Sequence, residues 1–149
     1  MNFSKSRLHD FSKIKHEALY NEDRTVLMVK FSGYYHPYPE GIFDGMYMHS
    51  VLVSEYFMYE PITIILDLRE LDYAVGQTIL KSINFFGVIG RDEHEQQKKV
   101  IIIASRENKA AIDKALSILP GPNQEICGYY ETAIQVATQT VSNYLSGKR

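Results

Sequence analysis

Two short segments constrain the fold most: Ile62-Thr63-Ile64-Ile65-Leu66-Asp67-Leu68 and Val100-Ile101-Ile102-Ile103-Ala104. Each is apolar almost throughout and rich in β-branched residues, and each is too short for a typical helix. A strand that is apolar on both faces needs cover on both faces. Such strands sit in the middle of a mostly parallel sheet, with helices returning the chain from one strand to the next.

The segments around them fit that frame. Residues 13–20 read as a first strand, and Asn21-Glu22-Asp23-Arg24 as a polar hairpin turn. Residues 25–33, TVLMVKFSG, read as a second strand that stops at Gly33. Pro37 and Pro39 make residues 34–41 a loop. Residues 42–59 read as a helix that buries Ile42, Met46, Val53 and Phe57, with Leu52 and Tyr56 flanking them and Gly45 weakening it. Pro61 stops it. The strand at 62–68 and a polar link, Arg69 to Asp72, follow. Residues 77–89 predict a second helix with Ile79, Ile83 and Phe86 inward, ended by Gly90, and then a solvated loop, RDEHEQQKK.

After the strand at 100–104, Ser105 can cap a third helix that lines up Ala111, Ala115 and Leu119, with Ile112 and Leu116 beside them. Pro120-Gly121-Pro122 breaks the chain. Residues 125–130 read as a short strand, and 131–145 as a last helix with Ile134, Ala137, Val141 and Tyr144 on one stripe. The expectation is one α/β domain over residues 13–146, with a mixed, mostly parallel sheet and about four helices. Residues 1–12 form a loose lead-in. At 149 residues the chain is long enough to bury one sizeable core.

This order resembles the STAS domain, the fold of bacterial anti-sigma-factor antagonists. VLMVKFSG at 26–33 looks like that family's second strand, IILDLRELDY at 64–73 like its hydrophobic strand with Asp-Leu, polar link and aromatic, and VIIIAS at 100–105 like the next strand. The terminal ETAIQVA helix falls where the family has its last one. The resemblance covers roughly residues 13–145. It implies a cytoplasmic, non-catalytic regulatory domain that binds a kinase, a sigma-factor regulator or a sensor, and it leaves room for a homodimer.

The family's switch motif is altered. Phospho-regulated members carry Asp-Ser-Ser/Thr-Gly at a helix start, whereas here Tyr73 is followed by Ala74-Val75-Gly76-Gln77-Thr78-Ile79. Thr78 is the one hydroxyl of that segment and therefore the candidate phosphosite, since a helix N-terminus tolerates a phosphate. An unmodified Thr suits the same position.

Other residue patterns narrow the functions. A formal net charge of −2 gives no field for nucleic acid or an anionic membrane. No apolar run is long enough to span a bilayer or serve as a signal peptide. One cysteine, Cys127, makes no internal disulfide and reads as a small buried hydrophobe. His9, His16, His36, His49 and His94 show no metal-ligand spacing, and Gly87 to Arg91 lacks a phosphate-loop pattern, so no metal or cofactor is implied.

Between residues 37 and 73, seven acids (Glu40, Asp44, Glu55, Glu60, Asp67, Glu70, Asp72) face one base, Arg69, a local sum of −6. Tyr34 and Tyr35 lie just ahead of this stretch and Tyr38 at its start, and tyrosines serve interfaces as readily as cores. Asp67, Asp72, Tyr73 and Gln77 complete a candidate rim beyond the carboxyl ends of the strands, where open α/β sheets bind ligands. Three functions remain: a protein-interaction domain, a small-ligand binder using that rim, and an enzyme built on dispersed carboxylates such as Asp67 and Asp72.

Overall fold

A computed structural model describes residues 1–6, 10, 12–89, 97–119 and 123–147. The expected breaks at Gly90, residues 91–96 and Pro120 to Pro122 lie outside these residues, as do His9 and His94. Ten elements follow one another: β1 (Lys15–Tyr20), β2 (Val26–Tyr34), α1 (Gly41–Tyr59), β3 (Thr63–Asp72), α2 (Leu80–Ile83), α3 (Phe85–Ile89), β4 (Lys99–Ile103), α4 (Lys109–Leu116), β5 (Gln124–Cys127) and α5 (Tyr130–Leu145). The sheet order is β1-β2-β3-β4-β5. β1 is antiparallel to β2, and every later pair is parallel. The expected α/β fold with a mostly parallel sheet is therefore the one observed.

The strand pleat separates two cores. Leu27, Val29, Ile64, Leu66, Val100 and Ile102 point to one face, where they pack with Met48 and Leu52 of α1, Ile83, Phe85 and Ile112. Met28, Ile65, Ile101 and Ile103 point to the other, where they meet Cys127 and Ala133 and Ala137 of α5. All seven β3 and β4 residues just named, on the α5 face and opposite it, are covered, as central strands require.

Four sequence expectations need correction. The second helix is two short ones: Asn84 breaks it, and its carbonyl accepts from the N–H groups of Gly87 and Val88. β3 runs on through the expected polar link to Asp72, with a bulge where Lys30 and Ser32 face Asp67 and Glu70. The loop after α3 is not solvated throughout: Lys98 is buried and donates to Tyr56 Oη at 2.9 Å. Finally, α1 turns its other side inward. It buries Asp44, Gly45, Met48, Val51, Leu52 and Tyr56, while Ile42, Met46 and Phe57 face outward. Apolar residues surround this helix, so their spacing could not choose a face.

Candidate functional site

The carboxyl ends of β2 and β3 meet the start of α1 and the loop at residues 73–79. Gly33 at the end of β2 has φ +115°, a left-handed value open to glycine. The next residues, Tyr34 and Tyr35, point different ways: Tyr34 is exposed and Tyr35 is buried. The Tyr35 N–H donates to the Asp72 carbonyl at 3.0 Å, extending the β2–β3 ladder by one bond. Its ring stands edge-on to Tyr73, centroids 5.3 Å apart.

Three hydroxyls brace the loop, one of them against the start of α1. Thr78 Oγ1 donates to the Gly41 carbonyl at 2.7 Å, which uses its only proton. Tyr35 Oη must therefore be the donor in its bond to Thr78 Oγ1. Tyr73 Oη donates to the Gly76 carbonyl. Burial holds the Tyr35 phenol far above its ordinary range. Burial likewise raises Tyr73. Both phenols act as neutral donors. Gly45 makes this junction close enough: a Cβ there would lie 2.7 Å from the Thr78 carbonyl oxygen and 2.8 Å from Tyr35 Oη.

Asp44 is the organising charge. Its carboxylate is 1% exposed. Oδ1 accepts from Ser12 Oγ at 2.7 Å, and Oδ2 accepts from the His36 N–H at 2.8 Å. Oδ2 also lies 2.8 Å from His36 Nδ1. A carboxylate only accepts, so Nδ1 carries the proton and donates to Asp44, which fixes the orientation of the ring. One buried carboxylate thus draws residue 12, the aromatic loop and α1 together.

The result is a cavity of about 460 Å³ lined by His36, Tyr38, Gly41, Ile42, Gly76, Gln77 and Thr78. Tyr38 stands at its edge, 79% exposed. A second hollow of about 410 Å³ lies across the same loop, against Asp72, Tyr73, Asn108 and Ala111. Asn108 is buried there and donates to the carbonyls of Leu68 at 2.7 Å and Leu71 at 2.9 Å, which closes the β3 bulge.

The predicted rim is only partly assembled. Tyr35, Tyr38, Tyr73, Gln77 and Thr78 come together, with Tyr34 stacked edge-on against His36 at 4.8 Å. Asp72 borders the second hollow. Asp67 does not join them. Asp67 lies within β3 and alternates with Leu66 and Leu68, so it faces the α5 side. There Arg69 holds it in a two-pronged pair, Nε to Oδ1 at 2.8 Å and Nη2 to Oδ2 at 2.6 Å. Burial pushes the Asp67 carboxyl up, but the hydrogen bonds and charge of Arg69 outweigh it and leave the group below its usual value. Thr78 precedes α2, which spans one turn and so brings little dipole to a phosphate.

Asp44 and Gly45 were the residues that sequence reasoning passed over. The available signal was an Asp one turn into a helix that follows a proline loop, a spacing from which a carboxylate can reach back to loop N–H groups.

Among the described residues, no helix is long and apolar enough to cross a membrane. No known protein family matches the sequence, and no curated protein matches it. Among solved structures, the chain is similar to an anti-sigma factor antagonist from Mycobacterium paratuberculosis, with a TM-score of 0.54 and 10% identity over 85% of this chain and 95% of that one. The STAS-like resemblance of the sequence is thus matched in three dimensions, and the likeness is one of fold.

Proposed function

We propose that this chain is a non-catalytic, cytoplasmic regulatory domain, folded over residues 13–146, that binds another protein through the rim around Tyr34, Tyr38, Asp72 and Gln77. The observation that carries this reading is the exposed aromatic edge of a preorganised hollow. Tyr38 is almost wholly exposed beside a cavity whose walls are locked by Asp44, Tyr35 and Thr78. Stiff aromatic side chains on a fixed base lose little entropy on docking. The fold it shares with an anti-sigma factor antagonist supports a kinase, sigma-factor regulator or sensor as the partner class.

Phosphate on Thr78 would act here by displacement. It would break the bonds to Gly41 and Tyr35 and force the loop away from α1. A Thr78→Glu variant is expected to change partner affinity, and unchanged affinity would remove the switch.

The test is affinity capture on the immobilised chain, read by mass spectrometry with phosphopeptide mapping. A stoichiometric regulatory partner should be lost on Tyr38→Glu with Gln77→Arg and kept on Leu145→Glu, at the exposed end of α5. No such partner, or equal binding by all three, would overturn the proposal. A second reading, a small ligand in the cavity, is favoured by the His36 ring, which Asp44 orients at the cavity wall. A metabolite that raises the melting temperature of the wild type, but not of the rim variant, would support it.

A further inference from the structure

A hollow of about 360 Å³ lies at the opposite end of the sheet from the rim. α5 starts beyond the carboxyl end of β5 and packs back across β3, β4 and β5, so its last turns stand over the amino ends of β4 and β5. There Gln97, Lys99 and Glu125 meet Val136, Gln139 and Asn143. The three helix residues are three and four positions apart and so share one face of α5. Thr140 completes the wall; it is buried and spends its hydroxyl proton on the Val136 carbonyl at 2.8 Å.

These walls hold hydrogen-bonding capacity that the protein leaves unused. Gln97 Oε1 is covered and, among the described residues, accepts no hydrogen bond. A covered acceptor without a donor costs stability, so the position favours an arriving donor. Thr63 Oγ1, on the ladder neighbour of Lys99 and on the same side of the sheet, is a second covered oxygen without a partner among the described residues. Gln139 Nε2 donates to Asn143 Oδ1 at 2.8 Å, which leaves Gln139 Oε1 to accept and Asn143 Nδ2 to donate.

The same walls select a class of ligand. Lys99 and Glu125 pair at 3.6 Å, so their charges cancel and a neutral ligand is favoured over an ion. No aromatic ring stands among the described lining residues, so none offers a stacking face to a nucleobase. Val136 is the one wholly apolar side chain among them, too little for a hydrocarbon ligand. What fits is a small molecule whose polar atoms each both donate and accept, which is the property of a hydroxyl. The volume lies near the lower end for small-ligand sites and has room for a single ring with its hydroxyls.

We propose that this hollow binds a neutral polyhydroxylated ring, a monosaccharide or cyclitol, with one ligand hydroxyl donating to Gln97 Oε1 and its neighbours held by the Gln139 and Asn143 amides. The site lies at the far end of the sheet from Tyr38 and Gln77, so it stands or falls apart from partner binding at the rim.

The test is titration of the isotope-labelled full chain with D-glucose and with myo-inositol, followed by NMR through the side-chain amide signals of Gln97, Gln139 and Asn143. At least one compound should shift them saturably, with half-saturation at about 1–10 mM, the range for about 12 non-hydrogen atoms at ordinary ligand efficiency. The Gln77 amide signal should stay still. Gln139→Leu with Asn143→Leu should weaken binding about tenfold or more. Gln97→Leu should weaken it similarly while holding or raising the melting temperature, because it removes an unpaired acceptor. Tyr38→Glu with Gln77→Arg should bind as the wild type does. No saturable shift with either compound would overturn the proposal, as would binding of adenosine in their place or a lower melting temperature for Gln97→Leu. Shifts centred on Gln77, or binding lost in the rim variant, would assign the ligand to the other cavity and also overturn it.

Discussion

Replacing Gly45 with alanine sets two effects of opposite sign against each other. In an exposed helix interior, Gly→Ala stabilises by about 0.8–1 kcal/mol, because alanine has less backbone freedom to lose. At Gly45 the new methyl has no room. Its Cβ would lie 2.7 Å from the Thr78 carbonyl oxygen, 2.8 Å from Thr78 Cβ and 2.8 Å from Tyr35 Oη. None of these is the free end of a flexible side chain. Thr78 is pinned by its bond to the Gly41 carbonyl, and the Tyr35 ring by its contact with Tyr73. Overpacking of this kind costs about 1–3 kcal/mol, and a clash against backbone belongs at the upper end. The net expectation is a loss of about 1–2 kcal/mol, or a melting temperature lower by about 2–8 °C for a domain this size. Differential scanning calorimetry reads it directly. Gly128→Ala is the control, because no atom lies within 4 Å of its Cβ position. It should stay within about 0.5 kcal/mol of wild type. A Gly45→Ala protein as stable as wild type, or more so, would refute the close junction between α1 and the Thr78 loop.

Two further substitutions probe the supports of the site. Asn108→Ala removes two donors from the Leu68 and Leu71 carbonyls and the acceptor of the Ser105 N–H at 2.8 Å, so denaturant unfolding should show a loss of about 2–4 kcal/mol. A loss under about 1 kcal/mol would mean the bulge closes itself. Arg69→Ala leaves Asp67 without its partner and should cost about 1–3 kcal/mol at neutral pH, discounted because Arg69 is part-exposed. The folded Asp67 value is lowered, so its contribution is full above the unfolded value of about 3.9 and fades as pH falls through the lower, folded value. The stability gap between wild type and Arg69→Ala should therefore narrow below about pH 4. A gap independent of pH would show that the pair acts through packing alone.

Much of the sheet was legible because its signal is local. ITIILDL and VIIIA have few non-strand options, and the hairpin residue Asn21 accepts from the Val26 N–H at 2.8 Å, as a turn asparagine does. The inward faces of α2, α3 and α4 were also readable, since Ile79, Ile83, Phe86 and Ile112 are all buried, whereas α5 buries Ala133, Ala137 and Thr140, and of its expected stripe only Ala137 is fully covered. The face of α1 was not, since Met48 and Leu52 on one side are no more apolar than Met46 and Phe57 on the other. Asp67 was misread for a related reason. Its role turned on where β3 ends, and residues 69–72, which look like a polar link, continue the strand by pairing with β2 through a bulge.

The amino-acid sequence by itself determined the order of elements, the central strands and the α/β class, because β-branched runs, proline breaks and helical spacing act within a few residues. Only the tertiary structure decided which side of α1 is buried, which face of the sheet Asp67 occupies, and that Asp44 gathers Ser12 and His36. Those outcomes depend on contacts between residues far apart in the chain, such as Tyr35 with Thr78, and on cavities and close approaches that exist only once the layers have packed.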